Sequence, residues 1–118
     1  MKNVPVIVMK DVCSSTRLHE DPLYPENKSR ISGEDFRKTY LSFLDDDNLW
    51  KEKKHTTEPF VILDFSDIIR VGPRFLNEVF AYFKKFGHTE EILDKIRCVN
   101  IKDLHRTMIE VELDYTWS

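Results

Sequence analysis

Glycine is scarce in this chain of 118 residues: Gly33, Gly72 and Gly87 each stand alone, which excludes a glycine-rich loop able to cradle a phosphate chain. Cysteine is scarcer still. Cys13 and Cys98 are too few and too far apart for a zinc site or a disulfide framework, so Cys98, inside an apolar segment, reads as a free buried thiol. The histidines, at positions 19, 55, 88 and 105, are isolated from one another and from acids at ligand spacing, and no metal or other cofactor is expected. Basic charge is not in excess either: 18 Lys and Arg against 21 Asp and Glu give a formal net charge of −3, which argues against a generic nucleic-acid binder. An apolar run of membrane length and a signal or transit sequence are both lacking, so no membrane association is expected and the cytoplasm is the expected compartment.

What is present centres on residues 60–87, FVILDFSDIIRVGPRFLNEVFAYFKKFG. Residues 60–65 form an apolar run broken only by Asp64, the pattern of a central strand covered on both faces. Phe75, Leu76, Val79, Phe80, Phe83 and Phe86 then fall on one stripe of a helix, with Asn77, Glu78, Lys84 and Lys85 elsewhere. Pro73 suits the first helical turn, and Gly87 suits a left-handed position just past the end.

The flanking segments read as smaller elements. Residues 4–9, β-branched and apolar with Pro5 near the start, predict an edge strand. Residues 11–30 are polar, contain two prolines and show neither period, so they predict a long loop, with Leu18, Leu23 and Tyr24 available to dock on the sheet and a short strand within residues 12–18 as the alternative. Ser32 before Glu34 and Asp35 predicts a helix start, and Phe36, Tyr40, Leu41, Phe43 and Leu44 give that helix an apolar face. Asp45, Asp46 and Asp47, followed by Lys51, Lys53 and Lys54, read as a solvated helix end or connector; their spacing is not that of a calcium loop. Residues 88–91 predict a new helix start and residues 97–102 a half-buried strand. The long helical connection makes that strand a parallel neighbour of residues 60–65. Residues 104–115 fit two patterns, a helix opened by Asp103 and an antiparallel edge strand alternating apolar with acidic residues.

Leu63-Asp64-Phe65-Ser66, a short loop, and then Phe75-Leu76-Asn77-Glu78-Val79-Phe80 resemble the STAS-like domain family of unknown function, itself similar to the STAS domains of anti-sigma factor antagonists and sulfate transporters. The resemblance is most specific over residues 60–86 and extends over residues 32–115. It favours the helix for the C-terminal segment. It implies a non-enzymatic regulatory module whose protein partner, as for bacterial anti-sigma factor antagonists, is a kinase-like ATPase. One departure stands out. Regulatory STAS domains carry a phosphorylatable serine at the loop-to-helix junction, and Pro73 holds that position here. A phosphoserine switch is therefore not expected, with Ser66, a residue suited to turn chemistry, as the remaining weak candidate.

The fold expected is α/β, one STAS-like domain with a mixed β-sheet of about four strands and helices packed mainly on one face. Residues 1–31 supply the edge strand and long loop and residues 32–118 the core. The candidate partner- or ligand-binding residues are Asp64, Ser66, Asp67, Arg70, Gly72, Arg74 and Asn77, gathered where a central strand hands over to a helix at its carboxyl end. Asp64 is expected to hold the following loop by bonding its backbone N–H groups. No nucleophile and base can be paired, so no enzyme is expected. The alternative function is a small-ligand sensor holding a nucleotide or other anion at the helix start around Arg74. Pro5 and the long first loop leave self-association into a homo-oligomer open.

Overall fold

The computed structural model describes residues 4–13, 17–18, 32–53 and 55–116. The elements run β1 (Val6–Val8), α1 (Met9–Val12), β2 (Arg17–Leu18), α2 (Gly33–Tyr40), a 3₁₀ turn at Ser42–Leu44, α3 (Asp47–Lys53), β3 (Val61–Asp64), β4 (Arg70–Val71), α4 (Pro73–Val79), a 3₁₀ helix at Ala81–Phe86, α5 (Thr89–Lys95), β5 (Ile96–Val99) and α6 (Asp103–Thr116). The α/β class stands. The sheet is smaller and more uniform than expected: three strands in the order β1-β3-β5, both pairings parallel, with β2 and β4 forming a separate parallel pair. An antiparallel edge is missing among the described residues because the C-terminal segment, α6, is a helix.

The central position of β3 follows from its register, Ile62 opposite Val6 on one side and Arg97 on the other. Its two faces are unequal, however. Val61, Leu63 and Phe65 are buried while Ile62 and Asp64 are only half buried, so the strand is not doubly covered as the apolar run suggested. Helices collect on one side: α2 packs on α4, and α4 on α6. β1 is an edge strand, and Pro5, lacking an N–H, contributes its carbonyl to Ile62 N–H at 2.9 Å. Residues 4–13 are thus built into the core, with Met9 and Cys13 buried. The segment read as a long loop, residues 11–30, holds the end of α1 and, within the alternative strand region, β2, with Leu18 buried; Leu23 and Tyr24 lie outside the described residues.

Ser32 caps α2 as its side chain predicts, accepting Asp35 N–H at 3.0 Å. Phe43 departs from the expected apolar face, 46% exposed, because the helix tightens into 3₁₀ geometry at Ser42 and rotates Phe43 outward. The charged stretch after it is not a connector but α3, whose Trp50 is buried. Trp50 donates its Nε1–H to the Leu44 carbonyl at 2.7 Å, stacks on Phe86 at 5.7 Å and meets Phe60 edge-on at 4.9 Å. One buried indole thereby locks α3 against the end of the central helix.

That helix is also divided. It starts on Pro73 as expected, with Gly72 before it, but at Phe80 the backbone leaves regular geometry and residues 81–86 continue as 3₁₀. The apolar stripe survives the change, since Phe75, Leu76, Val79, Phe80 and Phe83 are all buried. Gly87 is not left-handed but extended, φ −176°, because the preceding turn ends on a bond from Gly87 N–H to the Lys84 carbonyl three residues back. Glycine fits there for a different reason: a Cβ at Gly87 would stand 3.3 Å from Cβ of Glu91, whose carboxylate accepts His88 N–H at 3.0 Å and opens α5. Asp103 lies one residue inside α6 rather than capping it. Arg37 links α2 to α4, with Nη2 3.1 Å from Glu78 and its guanidinium 3.6 Å over the Tyr82 ring.

Lys95 is a further feature the sequence did not announce. Fully buried at the end of α5, its Nζ donates to the carbonyls of Thr56 and Glu58 and to Thr56 Oγ1. The ammonium is satisfied by oxygen atoms of the segment leading into β3, and so fixes the entry to the central strand.

Candidate functional site at the carboxyl end of the sheet

The turn after β3 is built on Asp64. Its Oδ1 accepts three hydrogen bonds: Ser66 N–H at 2.9 Å, Ser66 Oγ–H at 2.6 Å and Asn100 Nδ2–H at 3.1 Å. The first two close an Asx-type turn, the role an acid two residues before a serine is expected to play. The third reaches across from the end of β5. Ser66 and Asn100 together hold the Asp64 carboxyl below the usual carboxylate range, the Ser66 hydroxyl having the largest effect.

Two left-handed residues frame this carboxylate, Asp67 at φ 63° and Asn100 at φ 55°. Aspartate and asparagine tolerate that region better than other residues with a Cβ. Asp67 is further held by Lys10 of α1, with Nζ 2.5 Å from its Oδ2. The pairing raises the Lys10 pKa, chiefly through the hydrogen bond to Asp67.

From there the chain alternates inward and outward. Phe65, Ile68 and Val71 are buried, whereas Asp67, Ile69 and Arg70 face solvent, Ile69 with 56% of its surface exposed. β4 then pairs with β2, Arg70 opposite Arg17 and Val71 opposite Leu18, and Gly72 N–H donates to the Leu18 carbonyl at 2.6 Å. Pro73 and Arg74 are exposed at the start of α4 and Gly72 is half exposed. Along this rim Asp64, Ser66 and Asp67 lie in the turn, Arg70 and Gly72 at β4 and just past it, and Arg74 in the first turn of α4. Asn77, one turn of helix past Pro73, donates its Nδ2 to Glu112 Oε1 at 3.0 Å and joins α4 to α6.

Two residues of the rim escaped the sequence reading. Asn100 follows a strand and carries a side chain suited to a left-handed position, which was a usable signal. Lys10 offered none, since only the sheet order brings α1 beside the turn.

Ser66 gives its hydroxyl proton to a carboxylate of lowered pKa, a poor base for activating a nucleophile. A phosphate on Ser66 would lie beside Asp64 and close to Asp67, against like charge. No group of three or more His, Cys, Asp or Glu able to hold a metal is found among the described residues. No helix among them is long and apolar enough to cross a membrane. A cavity of about 660 Å³, lined by Val4, Pro5, Phe43, Leu49 and Phe60 among others, opens at the opposite, amino end of the strands.

A family model described as STAS-like domain of unknown function (DUF4325) matches residues 47–105, from α3 to the first turn of α6, and so contains the whole rim except Lys10. Comparison with curated proteins and with solved structures finds no match.

Proposed function

The chain belongs to the family of STAS-like domains of unknown function, and from that premise we propose that it is a non-enzymatic regulatory module that binds a protein partner through the turn between β3 and α4. The observation that carries this reading is the side-chain arrangement of residues 64–74. Asp64 pins the turn from inside, while Asp67, Ile69, Arg70, Pro73 and Arg74 are exposed on it. A rigid scaffold presenting an exposed loop is a common design for recognition. The similarity of this family to anti-sigma factor antagonists favours a kinase-like ATPase as the partner and the cytoplasm as the compartment; this is analogy at the level of the fold. With Pro73 at the loop-to-helix junction, the reading includes no phosphoserine switch.

The test is co-purification of a tagged chain from its native cell, with bound proteins identified by mass spectrometry. A kinase-like ATPase should be retained by the wild-type chain and by Phe43→Ser at the far end of the sheet, and lost with Ile69→Asp. Retention by Ile69→Asp, or the absence of any partner, would overturn the reading. Calorimetry with nucleotides separates the rival sensor function: a heat signal abolished by Arg74→Ala would favour the sensor.

A further inference from the structure

We propose that the turn recognises an acidic segment of its protein partner, with Arg70 and Arg74 meeting its carboxylates and Ile69 meeting an apolar residue between them. The inference rests on the docking role of the same turn and adds the chemistry of what docks there.

Charge commitment carries it. Five cations elsewhere are paired with acids, Arg37 with Glu78, Arg97 with Asp94, Lys38 with Glu34, Lys51 with Asp47 and Lys85 with Asp45, while Lys53, Lys84, Lys102 and Arg106 make no ion pair among the described residues. Arg70 and Arg74 have neither an ion pair nor a side-chain hydrogen bond among the described residues, although acids outnumber bases in the chain. The acids nearest them in sequence are already engaged, Asp67 by Lys10 and Glu78 by Arg37, and Asp64 is held by Ser66 and Asn100. With Lys10 beside it, the turn carries three cations, Lys10, Arg70 and Arg74, against the two carboxylates of Asp64 and Asp67, on a protein whose net charge is −3. An acidic segment is attracted here and repelled by the rest of the surface, which supplies orientation as well as affinity. Arginine suits this role because its planar fork binds a carboxylate through two parallel hydrogen bonds. Ile69, 56% exposed between the buried Ile68 and the first arginine, adds the apolar contact that sets a folded or peptide partner apart from a simple anion.

The probe is a fluorescein-labelled peptide of alternating glutamate and leucine, read by fluorescence anisotropy at low salt against the full chain. Binding should weaken at least about tenfold with the double change Arg70→Glu and Arg74→Glu, the scale expected when charge pairs turn repulsive. It should weaken with Ile69→Ser and with added salt, and be unchanged by Lys53→Glu, an exposed lysine at the other end of the sheet. No binding by the wild type, equal binding by the double variant, or equal binding of a lysine–leucine peptide would overturn the proposal. Arg70→Gln with Arg74→Gln serves as the milder variant, and circular dichroism confirms that each is folded. Photo-crosslinking from position 69 in the native cell tests the docking surface separately. A protein crosslink that persists in the charge-reversed double variant overturns acidic recognition alone, and no crosslink overturns the surface itself.

Discussion

Asn100 donates to Asp64 at 3.1 Å and so ties together the carboxyl ends of two neighbouring parallel strands, 36 residues apart in sequence. The bond explains why the turn after β3 can be both exposed and ordered: its first residue is held from two directions, locally by Ser66 and remotely by Asn100.

Asp64→Ala should cost about 1–2 kcal/mol at neutral pH, because it removes three hydrogen bonds to a half-buried carboxylate. The pH dependence has a definite sign. The folded-state pKa is lowered, so the unfolded chain takes up the proton first. The stability contributed is complete above the unfolded value of about 4 and is lost as pH falls through the folded value. Urea unfolding of wild type and Asp64→Ala from pH 7 to pH 3 should show curves that converge at the acid end.

Asn100→Gly should be milder than Asn100→Val. Glycine keeps the left-handed backbone and loses only the bond to Asp64, whereas valine adds a conformational penalty of about 1–2 kcal/mol. Thermal unfolding of the two variants checks the order.

His105 should make the fold sensitive to mild acid. It is 4% exposed in the first turns of α6, and its Nδ1 has no hydrogen-bond partner among the described residues. Burial, followed by the nearby charge of Lys102, lowers its pKa. With the folded value depressed, the unfolded chain protonates first as pH falls below about 6.5. Stability should therefore be level above that pH and decline beneath it, down to the folded pKa. His105→Leu should remove the decline that arises from this group, as measured by urea midpoints between pH 5 and pH 8.

Lys95→Met should cost about 2 kcal/mol, since it withdraws a charged donor from three oxygens while keeping most of the buried stem. The loss should be local as well as global: amide hydrogen exchange at Phe60, whose N–H is bonded to the Lys95 carbonyl, should accelerate more than at Leu76.

Trp50→Phe should cost about 1–3 kcal/mol through the lost bond to the Leu44 carbonyl and the lost ring volume. Trp50→Ala should cost about 3–5 kcal/mol. Chemical denaturation checks both, with circular dichroism as the signal.

Much of the rim was legible because its determinants are local. An acid two residues before a serine makes its turn wherever it lies, and a proline before an apolar stripe starts a helix in most settings. The partner of Asn77 was not legible, since Glu112 lies 35 residues away on α6 and only the packing of α4 on α6 brings the two together. Phe43 departed for another reason, which also hides the change of helix geometry at Phe80. Periodicity continues through a 3₁₀ turn in the sequence, while the backbone does not, so a stripe of apolar residues conceals where a helix tightens.

The amino-acid order alone determined that a central strand lies within residues 60–65 and that Pro73 opens the helix after it, since these depend on side-chain shape and spacing over a few positions. Only the tertiary structure decided that Asn100 and Lys10 brace the turn, that Lys95 is buried against the approach to β3, and that Arg70 and Arg74 are left without acids among the described residues. Those outcomes depend on which distant segments the sheet order sets side by side, and no local pattern encodes that.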